Sequence, residues 1–329
     1  YPALLPLMTR GRFVPLLATF LVGGLTALQS RINGELSRSI GGGLEAAIVS
    51  FGSGLLILLV LTAVNPSIRA GLGRVTRAVR TGELAWWQIL GGILGGFFVA
   101  VQAATVPLIG VAVFTVAVVA GQSSNSLLVD RVGLGPAGRQ AITVRRAVSA
   151  ALAVGAVALA VGSRFVEGSV PPAAVAFAFV AGLAIAVQQA INGRVARTSQ
   201  NPMSATFLNF LFGTMALASA FGVTWAVTGS GPSALPAGPW WLYMGGAIGI
   251  VFIAIASWVV PIVGVLFFAL LSIAGQLSGA LLLDLLAPTA GTKLEWNLFA
   301  GVLLAFCAVA FAARGRGPAP LAPVRESGT

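Results

Sequence analysis

Apolar residues in this chain come in long blocks, and the few charged ones fall between them. Seven stretches contain no Asp, Glu, Lys or Arg: Phe13 to Ser30, Ala46 to Ile68, Leu84 to Val129, Ala147 to Ser163, Gly168 to Gly193, Thr198 to Leu283 and Trp296 to Ala313. A membrane-crossing helix needs about 20 apolar residues, so the third and sixth stretches are too long for one crossing. Turn-forming residues divide them. The segment Thr105-Val106-Pro107-Leu108-Ile109-Gly110 splits the third, and the Gly/Pro/Ser-rich loop Thr228 to Pro239 and the tight break Pro261 to Gly264 split the sixth. The pattern predicts ten helices, at 13–30, 46–64, 86–106, 108–129, 145–163, 172–191, 203–225, 240–259, 262–283 and 296–313. The pairs Trp86-Trp87 and Trp240-Trp241 open the third and eighth, where indole rings sit at headgroup level.

Composition turns this pattern into a membrane assignment. Of 329 residues, 57% are hydrophobic and 8% are charged, against about 25% charged in a soluble domain. Ten spans of about 20 residues leave room only for short loops and tails. The net charge of +11 sits in those loops, where it reads as contact with lipid headgroups and as a topology signal, not as nucleic-acid binding. With ten crossings, all of the 19 Lys and Arg except Arg31, Arg38, Arg164 and Lys293 fall on the side of the termini, which places both ends in the cytoplasm. The tail from Arg314 onward, 314–329, is expected to be disordered. Tyr1 is not an initiator residue, so a trimmed start is expected; the first apolar run reappears inside the chain, which marks it as a working helix and not a cleaved signal. There is no histidine, which removes ordinary zinc and Ser-His chemistry, and the one cysteine, Cys307, lies in an apolar run. No cofactor or metal is expected.

The chain repeats itself. Gln29-Ser30-Arg31-Ile32-Asn33-Gly34 returns as Gln188-Gln189-Ala190-Ile191-Asn192-Gly193, an offset of 159 that also relates Arg38 to Arg197, Phe51 to Phe210 and Gly54 to Gly213. After a loop the offset becomes 154, relating Trp86-Trp87 to Trp240-Trp241, Gly91-Gly92 to Gly245-Gly246, Gly95 to Gly249, Pro107 to Pro261, Gly110 to Gly264, Phe114 to Phe268, Ala120-Gly121-Gln122 to Ala274-Gly275-Gln276, Ser124 to Ser278 and Asp130 to Asp284. Each repeat, 13–163 and 172–313, holds five helices. Five is odd, so the second unit enters the membrane from the opposite face. Inverted repeats of this kind are the architecture of secondary transporters.

The Gln-x-x-Ile-Asn-Gly ending of the first helix, Trp-Trp-x-x-x-Gly-Gly, Pro-x-x-Gly-Val, Ala-Gly-Gln and the Leu-rich run closing in Asp resemble the YdcZ-type family of inner-membrane exporters in the drug/metabolite transporter superfamily. The resemblance covers roughly Phe13 to Ala313 and occurs twice, so the chain looks like the fused form of a family whose single-half members pair as antiparallel dimers. It implies an all-α fold of ten transmembrane helices in two inverted five-helix repeats, with helices one to four and six to nine around a central cavity and helices five and ten outside. It implies no particular cargo.

Polar groups inside hydrocarbon are costly and are default candidates for function, although many only join helices. Gln29 and Asn33 share a helical face, and Gln188 and Asn192 repeat it. Either these amides meet a solute across the pseudo-symmetry axis, or each Asn-Gly is a helix C-terminus with Gly34 and Gly193 left-handed. Gln122, with Ser123, Ser124 and Asn125, and Gln276, with Ser272 and Ser278, form a second pair of polar patches beside Gly121 and Gly275; interhelical hydrogen bonding is the competing role. Gln102, Asn209 and Ser257 are weaker candidates, while Trp258 and Phe114 are core residues or apolar walls. Four-residue glycine spacings, Gly91/Gly95, Gly92/Gly96 and Gly245/Gly249, predict close helix packing.

Small multidrug resistance transporters carry a glutamate within helix one. Here neither helix one nor helix six has an acid, which argues against that coupling scheme. The remaining candidates for coupling are Glu45, whose repeat mate is Ser204, and the mates Asp130 and Asp284, which read equally as dipole partners, caps or ion pairs with Arg131 or Lys293. The sequence therefore predicts a secondary transporter in the bacterial cytoplasmic membrane, as monomer or homodimer, exporting a neutral or zwitterionic polar solute. A non-transporting scaffold is the alternative. No nucleophile-base pair or facing carboxylates support an enzyme.

Overall fold

The computed structural model describes residues 10–135, 138–139, 142–167, 170–229, 231–252, 255, 265–288 and 294–313. The predicted break at Pro261 to Gly264, Ser257, Trp258, Lys293 and the tail from Arg314 lie outside the described residues. Among those described there are helices and no strands. They are α1 (Arg10–Ile40), α2 (Gly43–Val64), α3 (Pro66–Arg80), α4 (Gly91–Ile109), α5 (Val111–Val132), α6 (Val144–Val166), α7 (Pro172–Ser199), α8 (Pro202–Thr228), α9 (245–252), α10 (Val265–Leu286) and α11 (Trp296–Ala313). Short 3-10 turns, Trp86–Leu90 and Trp240–Tyr243, lead into α4 and α9, and their tryptophans are exposed. The segments Gly43–Val64, Trp86–Ile109, Val111–Val132, Pro172–Ser199 and Pro202–Thr228 are long and apolar enough to cross a membrane, and Ala147–Ala160, Leu271–Leu286 and Trp296–Phe311 are shorter apolar helices.

Three local expectations need correction. The helix with Asn33-Gly34 does not end there. α1 has 31 residues, about 46 Å at ~1.5 Å per residue, and α7 likewise runs through Asn192-Gly193 to Ser199. Gly34 and Gly193 are not left-handed; α1 stops at Gly41 (φ 89°) and α7 at Gln200 (φ 50°). Tertiary packing overrides the weak stop signal, because the bare face of Gly34 is pressed on α4, where a Cβ would lie 3.0 Å from Val106. Second, α4 continues through Pro107 to Ile109, and Gly110 alone (φ 81°, ψ 163°) makes the turn into α5. Third, residues 66–80 form a helix between the second and third predicted spans. Its apolar positions Ile68, Gly71, Val75 and Ala78 are buried, and Asn65 caps it by accepting from the Ser67 N–H at 2.9 Å.

The halves pack by exchange, and repeat mates make matching contacts. α1 crosses α10 so closely that a Cβ on Gly23 would strike the Ser272 carbonyl and one on Gly275 the Phe20 carbonyl. α7 crosses α5 in the same way, Gly182 against Val118 and Gly121 against Phe179. Offsets of 159 and 154 convert one set of residues into the other. The glycines of α4 and α9 complete the pattern: Gly92 lies on the Asn209 carbonyl and Gly213, Gly246 on the Ser50 carbonyl and Gly54. Such contacts bring backbones together where Leu-rich surfaces would hold them apart. The largest buried cluster gathers Val111–Val119 of α5 with Ala174, Ala178 and Ala181 of α7 and Leu277 and Ala280 of α10. α6 and α11 meet through Ala156, Ala160 and Gly301.

Candidate functional site

α1 carries Gln29, Ser30 and Asn33 into contact with α4 and α9. Gln29 Nε2 donates to the Gly245 carbonyl at 2.8 Å. Asn33 Nδ2 donates to Gln102 Oε1 at 2.7 Å, Gln102 Nε2 donates to Ser30 Oγ at 2.7 Å, and Ser30 Oγ donates to the Thr26 carbonyl at 3.0 Å. Asn33, Gln102 and Ser30 are fully buried. Two atoms of this cluster are left over: Asn33 Oδ1 and Ser50 Oγ are buried without a hydrogen bond. Both face Gly245, at which a Cβ would lie 2.6 Å from Ser50 Oγ and closer still to Asn33 Oδ1.

α7 builds the mate of this arrangement with a different outcome. Gln188 Nε2 and Asn192 Nδ2 both donate to Asn209 Oδ1 of α8, at 2.8 and 3.0 Å. They face Gly91 and Gly95 of α4 as the first cluster faces Gly245 and Gly249 of α9. Phe51 and Phe210 are repeat mates whose ring centroids are 4.9 Å apart at an interplanar angle of 33°, and Phe210 shares Gly249 with Gln29 of the first cluster. The clearance for each ring is a glycine of the other half, Gly213 beside Phe51 and Gly54 beside Phe210.

The remaining candidates are spread around this centre. Gln122 Nε2 donates to Gln189 Oε1 at 2.9 Å, and Asn125 Nδ2 donates to the Leu183 carbonyl at 2.7 Å, so this patch joins α5 to α7. Gln276 and Ser278 are half-buried on α10, on the stretch that crosses Gly23 and Gly24 of α1. The four glutamines thus occupy separate helix junctions. Glu45, in the first turn of α2, accepts from the Ser233 N–H at 3.1 Å. Its mate Ser204, in the first turn of α8, donates to the Ile68 carbonyl of α3 at 2.9 Å. Each position anchors the connector that follows the second helix of the opposite half. Asp284 is buried at the end of α10, where its oxygens accept from the Val111 and Ala112 N–H groups, at 3.1 and 2.7 Å, and so satisfy the N-terminus of α5. Asp130 is half-buried in the last turn of α5. Among the described residues no three His, Cys, Asp or Glu side chains converge as metal ligands.

The model of the family described as "Putative inner membrane exporter, YdcZ" matches residues 14–159 and again residues 173–311. The chain belongs to this family. It is therefore a two-half YdcZ-type protein, a multi-pass protein of the inner membrane in a family of exporters, which is not an enzyme class. No curated protein matches it.

Within the YdcZ-type pattern, the Gln-x-x-Ile-Asn-Gly motifs lie at the two buried clusters, and the Trp-Trp-x-x-x-Gly-Gly motifs supply the glycines that face them. Gln102 and Asn209, weaker candidates by sequence, are the hubs of the clusters. Ser50 was not singled out in the sequence at all. Its signal was available, since an offset of 159 makes it the mate of Asn209.

Proposed function

We propose that this protein exports a small, neutral or zwitterionic polar solute by alternating access between two inverted five-helix halves, spanning the membrane ten times with both termini in the cytoplasm. The observation that carries the reading is the matched exchange of contacts between halves: α1 on α10 as α7 on α5, and α9 on α2 as α4 on α8. Two equivalent interlocks can trade conformations, which is what an alternating mechanism requires. The solute contacts are the buried and half-buried polar groups near the Phe51–Phe210 pair, Gln29 and Asn33 with Gln102 and Ser50, and Gln188 and Asn192 with Asn209. Gln122, Asn125, Gln276 and Ser278 act at the neighbouring junctions of α5 with α7 and α10 with α1.

The unused Asn33 Oδ1 and Ser50 Oγ supply a driving force for binding. A buried polar atom without a partner costs about 1–3 kcal/mol, and that cost is recovered when α9 withdraws and a solute N–H or O–H takes its place. Among the described residues no carboxylate hydrogen-bonds to either cluster, and Glu35 of α1 is paired with Arg31 and Arg38, so a neutral donor is favoured. In this reading Glu45 and Asp284 are anchors, of a connector and of a helix terminus, and not proton carriers. Proteoliposome flux with a panel of polar metabolites and drugs tests the proposal, together with reagent accessibility of single cysteines placed on the two membrane sides. Transport that persists unchanged when Gln29, Asn33, Gln188 and Asn192 are all replaced by alanine would sink the assigned site, and accessibility that never responds to any transported solute would favour a scaffold.

A further inference from the structure

The two connectors that follow the second helix of each half do the same mechanical task with different chemistry. Residues 229–239 cross to the α1–α2 hairpin and are held there by Glu45, while Tyr243 Oη donates to the Pro236 carbonyl at 2.7 Å. This segment, Gly-Ser-Gly-Pro-Ser-Ala-Leu-Pro-Ala-Gly-Pro, is neither helical nor charged where it is described. Residues 66–80 cross to the α7–α8 hairpin as the helix α3, held by Ser204, by Asn201 Nδ2 donating to Ser67 Oγ at 3.0 Å, and by Arg74 Nε donating to the Ser199 carbonyl at 2.8 Å. Covering a hairpin therefore needs no helix and no charge, and the arginines of α3 call for another explanation.

Packing accounts for two of them. Arg74 is spent on Ser199, and Arg69 donates to the Thr62 and Ala63 carbonyls at the end of α2. Arg77 and Arg80 are exposed and make no hydrogen bond or ion pair to the described residues. At 100° per residue, Arg69, Arg77 and Arg80 fall on one side of α3, opposite the buried Ile68, Gly71, Val75 and Ala78. α3 itself contains no acid; Glu83, exposed just beyond it, is the nearest in sequence. Its depth follows from its neighbours. One residue, Asn65, separates α3 from the apolar α2, whose Val60 and Val64 are exposed, and the exposed Trp86 and Trp87 follow it. The outward face of α3 therefore stands among headgroups and not in bulk water.

We infer that Arg77 and Arg80 form a docking face for anionic phospholipid headgroups, and that a bound headgroup clamps α3 on the α7–α8 hairpin. Arginine suits this task because its planar fork holds phosphate oxygens in pairs, and the cytoplasmic leaflet is the anionic one. The inference rests on the cytoplasmic placement of both termini proposed above and stands apart from the identity of the solute. Its test is the melting temperature of the purified full chain in a neutral detergent, with added phosphatidylglycerol or added phosphatidylcholine. Phosphatidylglycerol is expected to raise it more than phosphatidylcholine does, inorganic phosphate to have no effect, and high salt to shrink the difference. The double variant Arg77→Gln/Arg80→Gln should melt like the parent without lipid and lose at least half of the phosphatidylglycerol increment. Arg77→Lys/Arg80→Lys should keep most of it. A full increment in the glutamine variant, no preference for phosphatidylglycerol in the parent, or an equal response to inorganic phosphate would each overturn the assignment. An increment lost only because the glutamine variant already melts lower without lipid would also count against it, unless the lysine variant restores both values.

Discussion

The amide cluster of α1 and the amide cluster of α7 are built from the same motif at the same place in each half, yet only the first leaves fully buried polar atoms without a partner. On α7 the two donors Gln188 and Asn192 converge on Asn209 Oδ1. Beside α1 the residue in the place of Asn209 is Ser50 of α2, one bond too short and with a hydroxyl instead of an amide. Gln29 turns to the Gly245 carbonyl, Asn33 turns to Gln102, and two oxygens are stranded. A near-symmetric scaffold can thus hold one cluster with its buried donors paired and one that gains from a visitor, the difference lying in three positions: Ser50 for Asn209, Gln102 for Ala256 and Ser30 for Gln189.

The comparison depends first on the interlocks being equivalent. Gly121→Leu and Gly275→Leu each push a side chain into a facing backbone carbonyl, and each should cost about 3 kcal/mol, the upper end of typical overpacking penalties. Denaturation of the purified variants checks this, and a tolerated leucine at one position alone would break the equivalence of the α5–α7 and α1–α10 crossings.

Next in size is the contrast between the hubs. Asn209→Ala strands two buried amide donors and should destabilise by about 2 kcal/mol, whereas Ser50→Ala removes a hydroxyl that has no partner and should be neutral or slightly stabilising. If Ser50 serves only packing, Ser50→Ala leaves flux unchanged; if it serves a solute, KM rises severalfold while the melting temperature holds. A Ser50→Ala protein that melts as early as Asn209→Ala would erase the distinction drawn between the clusters.

The smallest expected effects are at the connector anchors. Glu45→Gln weakens an exposed hydrogen bond and Ser204→Ala removes a buried one, each worth about 1 kcal/mol. Similar losses in both, read as earlier proteolysis at 229–239 and at 66–80 respectively, would support their matching roles; unaltered cleavage at both sites would count against them.

Much of this was legible along the chain because its causes are local or additive. Charge-free blocks mark where helices are buried, and α11, Trp296–Ala313, coincides with its predicted bounds because charged residues flank it on both sides. The offset of 159 that relates Phe51 to Phe210 also aligns Gly23 with Gly182 and Ser50 with Asn209, pairs that nothing in the sequence alone marks out. α3 was missed although the spacing of Ile68, Gly71, Val75 and Ala78 was there to be read. Its arginines made it look like loop, and its apolar face is too narrow to stand out from polarity without knowing what covers it.

Other features had no local cause to read. Asn33-Gly34 and Asn192-Gly193 have the composition of a helix stop, but a side chain that finds Gln102 or Asn209 in a buried junction has no reason to cap its own helix. Likewise, four glutamines at matching repeat positions suggested one shared cavity lining, and they stand at separate junctions because helix crossing angles, not sequence spacing, decide which faces meet. The amino-acid sequence by itself determined the membrane setting, the two-half organisation and the polar residues worth watching, since each follows from composition or periodicity. Which amides pair, which oxygens stay empty and which connector carries a free basic face were decided only by tertiary structure, because hydrogen bonding in hydrocarbon is settled by what another helix brings within about 3 Å.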